Sequence, residues 1–458
     1  MKILHYTLGL PPYRSGGLTK YSCDLMIEQA NKGEVVYLLY PGHFNLCNKT
    51  KIKYNKMYKG IYVYEMINPL PVPLLNGIKD VEKFIESKDI EVFKGFINKI
   101  SPDVIHIHTL MGLPIEFLEA AKDIGIKIIF TTHDYFGICP KVNLITDKGQ
   151  ICNDYCNGAK CVVCNKKAYS IGKIYLMQSR IYKILKNINS LKNFALKLKR
   201  QRTLNVNQNI ENIGYVETYE ITDFSYQYVK LRNYYLNILQ KVDYFHFNSS
   251  VAKSEYEKYV KCKGEIINIT HKDIKDNRQE KSFSNEKQLR IGYLGPTEKY
   301  KGFNLLTNAL KALNKEGIEN FRLDVYGNKY KLNVDVNNTF FHGKYNYSEL
   351  RNIFNNIDVL IAPSICKETY GFIVLEAMSY GIPVIVTNCV GAKDLIEDNI
   401  SGFIVESNEN SIKEIIISLM DSKQLLQDVA RNLLSIELPL DFGEHVGRVI
   451  ELYKGGLY

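Results

Sequence analysis

The chain has 458 residues, 45% hydrophobic and 24% charged, too long for a single core and too apolar for disorder, so two globular domains are expected. No window approaches about 18 uninterrupted apolar residues, and the opening run MKILHY breaks at Gly9 and Pro11-Pro12, so neither a membrane span nor a secretory leader is expected. The net charge of +10, from 59 basic and 49 acidic residues, favours an anionic partner: phosphate, anionic lipid or nucleic acid.

In chain order, residues 2–7, 35–40, 62–66, 104–108, 127–132 and 244–248 read as strands, with helical stretches such as 18–31 and 84–100 between them. Alternation at this spacing predicts a parallel, doubly wound sheet. After the first strand a glycine turn opens a helix, and Gly16-Gly17 in it would let a ligand phosphate come close to that helix start. An ordinary flexible strand-to-helix loop would look the same. His106, His108 and His133 fall at carboxyl ends of predicted strands, where open α/β sheets place ligands. His106 has the position of a core histidine, His108 suits either role, and His133 stands in Thr-Thr-His-Asp at a strand end.

The stretch after Cys139 carries Cys152, Cys156, Cys161 and Cys164, four cysteines within thirteen residues. Paired thiols at this spacing suit a structural zinc, ranked first, or an iron–sulfur cluster. Inert thiols in an insertion are the alternative. Between Asp154 and Glu211 there is no acidic residue but twelve Lys and Arg, with apolar residues at Ile174, Met177, Ile181, Ile184, Ile188, Leu191, Ala195 and Leu198. That is a basic amphipathic helix or helix pair, which could meet an anionic membrane surface, form a coiled-coil contact or pack on the domain.

Residues 272–287 are polar and aperiodic and read as a linker. Beyond it, 289–294 is a strand followed by a glycine turn and Lys299 and Lys301 at a helix start, again suited to phosphate. Further strands are expected at 321–326, 340–342, 359–362 and 383–387, and a terminal helix at 442–453. Between the last two strands, KETYGFIVLEAMSYG gives a turn, then a helix over 372–380 stopped by Gly381 and Pro383. Backbone N–H groups of Tyr370, Gly371 and Phe372 offer an anion cradle there. Glu376, one turn into the helix, is placed to accept from two vicinal hydroxyls of a ribose. Glu368 lies on the far side of the phosphate, where a sugar would sit.

The residues ETYGFIVLEA, with Ala362-Pro363-Ser364 before and Gly381-Ile382-Pro383-Val384 after, resemble the Glu-x7-Glu signature of retaining glycosyltransferases of family 4, group 1. The resemblance covers the chain apart from about 139–240. It implies a GT-B fold: two Rossmann-like, doubly wound α/β domains facing across a cleft, the first carrying the cysteine-rich, helical insertion. On that pattern 1–271 is the acceptor-side domain, 288–440 binds the nucleotide sugar, and 441–458 is a helix crossing back to the first domain. It further implies that Gly16 and Gly17 close on the donor diphosphate and that His133 faces the reacting sugar. Lys301 would neutralise the diphosphate, with Lys299 replacing a family arginine whose place is taken by Pro296. No catalytic cofactor is implied, because the lysines carry the charge a metal would otherwise screen. The expected function is hexosyl-type transfer from a nucleoside diphosphate sugar to a glycan or lipid-linked hydroxyl in surface polysaccharide synthesis, in the cytoplasm or at the inner membrane face. A non-catalytic glycan- or sugar-nucleotide-binding scaffold is the alternative. Nucleic acid is set aside as a partner, since the basic residues form one stripe without a recognisable binding module.

Overall fold

The computed structural model describes residues 1–45, 47, 49–182, 223–283, 288–327 and 334–455. The chain divides into two compact units, Met1–Val142 with Asn153–Phe245, and Asn143–Cys152 with His246–Tyr458. In chain order the first sheet comprises β1 (Lys2–Tyr6), β2 (Val35–Pro41), β3 (Lys51–Tyr58), β4 (Ile61–Ile67), β5 (Val104–Ile107), β6 (Lys127–Thr131), β7 (Tyr244–Phe247) and β8 (Gly264–Ile266). Its strand order is β3-β4-β2-β1-β5-β6-β7-β8. β1 pairs in parallel with both β2 and β5. The inner strands are apolar runs buried on both faces, as covered parallel strands must be: Ile3, Leu4, Val104, Ile105 and Ile107 are all fully buried.

β3 departs from the expected pattern. It runs antiparallel to β4 at the sheet edge and leaves most of KIKYNKMY exposed. Lysines along an edge strand repel a further strand, and they also remove the apolar alternation by which a strand is read. The expected helix over 84–100 is interrupted as well: Val81–Phe84 is a 3₁₀ turn and the α-helix spans Ile90–Ile100. Asp89 causes the restart, its carboxylate accepting from the Glu91 N–H as an N-cap.

The second sheet comprises β9 (Leu289–Leu294), β10 (Phe321–Tyr326), β11 (Thr339–Gly343), β12 (Val359–Ala362), β13 (Val384–Thr387) and β14 (Phe403–Val405). Its order is β11-β10-β9-β12-β13-β14, with parallel pairing throughout. In both sheets the first strand of the unit has neighbours on its two sides that lead away in opposite directions. Such a switch point opens a crevice beyond the carboxyl ends of the two central strands.

The segment expected as a linker is bonded along the second unit over its described part. Asn277 N–H donates to Ser379 O at 2.8 Å, and Arg278 Nη1 donates to Leu433 O at 2.6 Å and Ile436 O at 2.8 Å. Lys281 Nζ donates to Phe354 O at 2.6 Å, and burial lowers its ammonium to about 8. Its polarity therefore serves backbone carbonyls at helix ends and loops. The insertion is divided too. Asn143–Cys152, closed by an antiparallel bridge between Ile145 and Ile151, groups with the second unit, whereas the helix Ala159–Cys164 belongs to the first. The basic amphipathic stretch is described only as far as residue 182, including the helix Ile171–Met177 with Ile174 buried; Lys183, Lys186 and Lys192 lie outside the described residues. No helix among the described residues is long and apolar enough to cross a membrane.

Candidate active site

In the second unit two loops leave the carboxyl ends of neighbouring strands β9 and β12 and lock together. Tyr300 O accepts from both Ile365 N–H and Cys366 N–H, at 3.0 and 3.1 Å. Gly302 follows a 3₁₀ turn over Lys299–Lys301 with φ 73°. A Cβ on Gly302 would stand 1.6 Å from the Pro363 carbonyl oxygen, so only glycine permits this crossing. The helix Phe303–Lys315 begins immediately after it.

The crossing delivers Lys301 to Glu368, Nζ to Oε2 3.0 Å. Burial acts to lower the Lys301 ammonium, but the Glu368 carboxylate outweighs it and holds the group above its ordinary value. Glu368 is fixed in turn by its own backbone: its N–H donates to Cys389 O at 2.9 Å and its carbonyl accepts from Gly391 N–H at 3.1 Å. Tyr370, whose phenol is raised by burial, and Gly371 follow. Gly371 has φ 108°, and a Cβ there would meet Val390 Cγ1 at 3.1 Å. The helix Phe372–Met378 then carries Glu376, which is buried.

Glu376 sits at the end of a bonded row that sequence reading did not find. Asp273 N–H donates to His271 Nδ1 at 3.3 Å. His271 Nε2 therefore carries the proton and donates to the Tyr347 oxygen at 2.7 Å, and Tyr347 O–H donates to Glu376 Oε1. Burial and then the Glu376 carboxylate raise the Tyr347 phenol. Tyr347 and His271 belong to no motif, and 76 residues separate them, so no spacing signal was there to be read. A cavity of about 330 Å³ opens beside this row, lined by Lys272, Asp273, Ile274, Tyr347, Glu376 and Tyr380 among others.

Lys299 lies two residues from Lys301 and beside the 145–151 hairpin: a Cβ on Gly149 would come 3.2 Å from Lys299 Cε. In the first unit Gly16 caps the helix Gly17–Asn31 with φ 107°, and no atom lies within 4 Å of a Cβ added to it. His133 follows β6 and is half-buried, its ring 4.9 Å from that of Tyr21. The neighbouring Asp134 accepts from Thr109 O–H at 3.0 Å and Phe136 N–H at 2.8 Å. Burial outweighs both bonds and pushes its carboxyl up to about 6.

The cysteines are not gathered into one coordination sphere. Among the described residues, donor atoms of His5, His106 and His108 fall within 4.8 Å of one another, but no cysteine belongs to a group of this kind. Cys161 and Cys164 share the helix Ala159–Cys164, Cys156 Sγ lies 3.7 Å from Asp154 Oδ2, and no cysteine is in a disulfide.

Comparison with known proteins bears on the second unit most directly. Residues 274–433 match the family Glycosyl transferases group 1. A group 1 glycosyl transferase domain thus takes in the crossed loops, Lys301, Glu368 and Glu376. The chain is 27% identical over 187 residues to the capsular polysaccharide biosynthesis glycosyltransferase CapM of Staphylococcus aureus, covering 39% of this chain and 46% of that protein. It is 27% identical over 192 residues to an uncharacterized glycosyltransferase of Methanocaldococcus jannaschii, covering 40% and 51% respectively. The matched part thus spans about half the length of these relatives. Among solved structures, Anabaena HepE in complex with UDP aligns over 99% of this chain and 100% of its own, with a TM-score of 0.58 at 12% identity. The fold is that of the GT-B glycosyltransferases.

Two outcomes follow from this geometry. Gly302→Ala must force the loops apart, and equilibrium unfolding should show a loss on the order of 2–4 kcal/mol; an unchanged midpoint would contradict the crossing. Asp134 has a folded value of about 6 against an ordinary 3.8. Its contribution to stability is therefore fully present below about pH 4 and lost as pH rises through 6, because the unfolded chain gives up its proton first. Asp134→Asn removes that loss. Its stability relative to the parent should improve by on the order of 1–2 kcal/mol between pH 4 and 7, the half-buried position setting the lower magnitude. A pH-independent difference would place the carboxyl at its ordinary value.

Proposed function

We propose that this protein is a retaining glycosyltransferase that moves a sugar from a nucleoside diphosphate sugar to a hydroxyl acceptor in the synthesis of a surface polysaccharide. The observation that carries the reading is the Lys301–Glu368 ion pair at the β9–β12 switch point, inside the segment matching the glycosyl transferase family. An ammonium at the tip of a locked loop is a preorganised partner for a diphosphate whose charge grows as the glycosidic bond breaks. When the diphosphate arrives, Lys301 exchanges one anionic partner for another, and the Glu368 carboxylate turns to sugar hydroxyls. Glu376 accepts from the two ribose hydroxyls, taking them in place of the Tyr347 O–H. The bond between the anomeric carbon and the diphosphate oxygen breaks, and a bond to the acceptor oxygen forms on the same face. The departing diphosphate takes the acceptor's proton. His133 bonds a hydroxyl of the transferred sugar, and the Gly16–Gly17 turn lies against the diphosphate.

Two likenesses support the substrate classes: HepE was solved with UDP, and CapM is named for capsular polysaccharide biosynthesis. A lipid-linked acceptor would agree with the basic stretch meeting an anionic membrane surface, each basic residue contributing on the order of 1 kcal/mol there. Glu376→Ala should weaken nucleotide binding about 10- to 100-fold, since two ribose hydroxyls lose their acceptor in a closed site. Glu368→Ala should lower kcat about a hundredfold while changing nucleotide affinity far less. Wild-type transfer by both variants would remove the site.

A structural zinc at Cys152, Cys156, Cys161 and Cys164 is a separate proposal, supported by two cysteines three residues apart on one short helix. Binding would have to draw the sulfurs together, as metal coupled to local folding does. Elemental analysis of protein purified without affinity metals should give near-stoichiometric zinc that is lost in Cys161→Ser/Cys164→Ser. Fully active, metal-free protein would leave inert thiols.

A further inference from the structure

The first sheet holds a row of buried imidazoles at its switch point. His5 on β1 and His106 on β5 are register partners, and His108 lies two residues further on the same face as His106. All three are fully buried, as is Gln29 on the helix Gly17–Asn31. The rings of His5 and His108 stack with centroids 5.3 Å apart, and those of His108 and His133 with centroids 5.4 Å apart. Three imidazoles this close could hold a cation, but their nitrogens are already engaged. His5 Nε2 meets Gln29 Oε1 at 2.7 Å, His5 Nδ1 meets His108 Nε2 at 3.0 Å, and His106 Nε2 meets Thr131 Oγ1 at 2.6 Å. A metal taking His5 Nδ1 and His108 Nε2 would have to break the buried bond between them. The row continues to the site, His108 Nδ1 meeting His133 Nε2 at 3.3 Å.

Direction in this row is decided at its inner end. A carbonyl oxygen only accepts, so His5 Nε2 must donate to Gln29. Burial, working against the Gln29 bond, lowers His5 to about 4, which keeps the ring neutral near pH 7, with one proton and one lone pair. His5 Nδ1 then accepts from His108 Nε2–H, and a His108 carrying that single proton accepts at Nδ1 from His133 Nε2–H. We propose that Gln29 is a positioning residue that fixes, through His5 and His108, the Nε2–H tautomer of His133. The lone pair of His133 is thereby assigned to Nδ1, the form that accepts from a hydroxyl. This rests on the reading that His133 meets the sugar only for its catalytic consequence. The tautomer itself does not depend on it.

Nitrogen-15 NMR of histidine-labelled protein distinguishes the two tautomers, with His133→Gln identifying the resonances by their loss. The wild type should show His133 protonated on Nε2. Gln29→Leu, which removes the acceptor, should give a mixture of tautomers and about tenfold slower glycosyl transfer at unchanged nucleotide affinity. Gln29→Glu, which can only accept, should restore both the single tautomer and the rate. A wild-type His133 protonated on Nδ1 overturns the proposal without any variant. So does a His133 tautomer that ignores Gln29→Leu. Unchanged transfer in His133→Gln would instead fail the sugar-facing role, leaving the spectra to decide the relay.

Discussion

The approach of Gly302 to the Pro363 carbonyl is the contact on which the second unit's chemistry depends. Strands β9 and β12 are neighbours, with Ile291 opposite Val359 and Gly292 opposite Leu360, so the loops beyond them start side by side. They converge because one residue has no side chain and because a single carbonyl, that of Tyr300, holds two N–H groups of the opposing loop. Lys301 and Glu368 are then brought to 3.0 Å without any long-range guidance between the charges. Both groups are half-buried, so removing one partner leaves the other charge poorly compensated. The pair is therefore a consequence of the backbone crossing, and a ligand that takes Lys301 from Glu368 must itself be anionic.

That requirement distinguishes the two carboxylates. Glu368 faces an ammonium, which can exchange it for a multivalent anion. Glu376 faces a phenol oriented by a histidine whose Nδ1 accepts from the Asp273 N–H. A carboxylate supplied with hydroxyl donors suits neutral hydroxyl ligands, since one O–H replaces another with little change in electrostatic energy. Two glutamates eight positions apart thus receive different chemistries from different neighbours: one from a lysine loop 67 residues earlier in the chain, 368 against 301, the other from His271 and the turn at Tyr347 in the same unit.

Much of this architecture was legible in the sequence. The inner strands are short apolar runs between turns, and their alternation with helices fixed the doubly wound class, including the glutamate-bearing turn between β12 and β13. What escaped has physical reasons. β3 was hidden by the lysines that protect an edge. The helix restart at Ile90 depends on one aspartate cap within a continuous apolar pattern. The polar stretch after Lys272 looked like a free linker, because composition does not tell whether an arginine meets water or, as Arg278 does, two carbonyls. His106 was read as a core histidine, and the structure buries it completely. Gln29 and His5 drew no notice, since 103 residues separate His5 from His108 and only strand pairing brings them together.

The buried imidazole row has no evident value to stability. A hydrogen-bonded polar network inside a sheet contributes little net energy over apolar side chains of the same shape, and it costs heavily when any one partner is missing. Ile3, Leu4, Val104 and Ile107 show that this part of the sheet otherwise packs with aliphatic residues. The row also opposes its neighbour in pH response. His5, lowered to about 4, loses stability as pH falls below its ordinary 6.5, whereas Asp134, raised to about 6, loses it as pH rises. Stability alone would favour replacing both. Their position toward the carboxyl ends of β1, β5 and β6, by the crevice of the switch point, gives the other reason for polar groups in a packed interior: a rigid scaffold can hold one imidazole in a defined tautomer only through partners that water cannot reach.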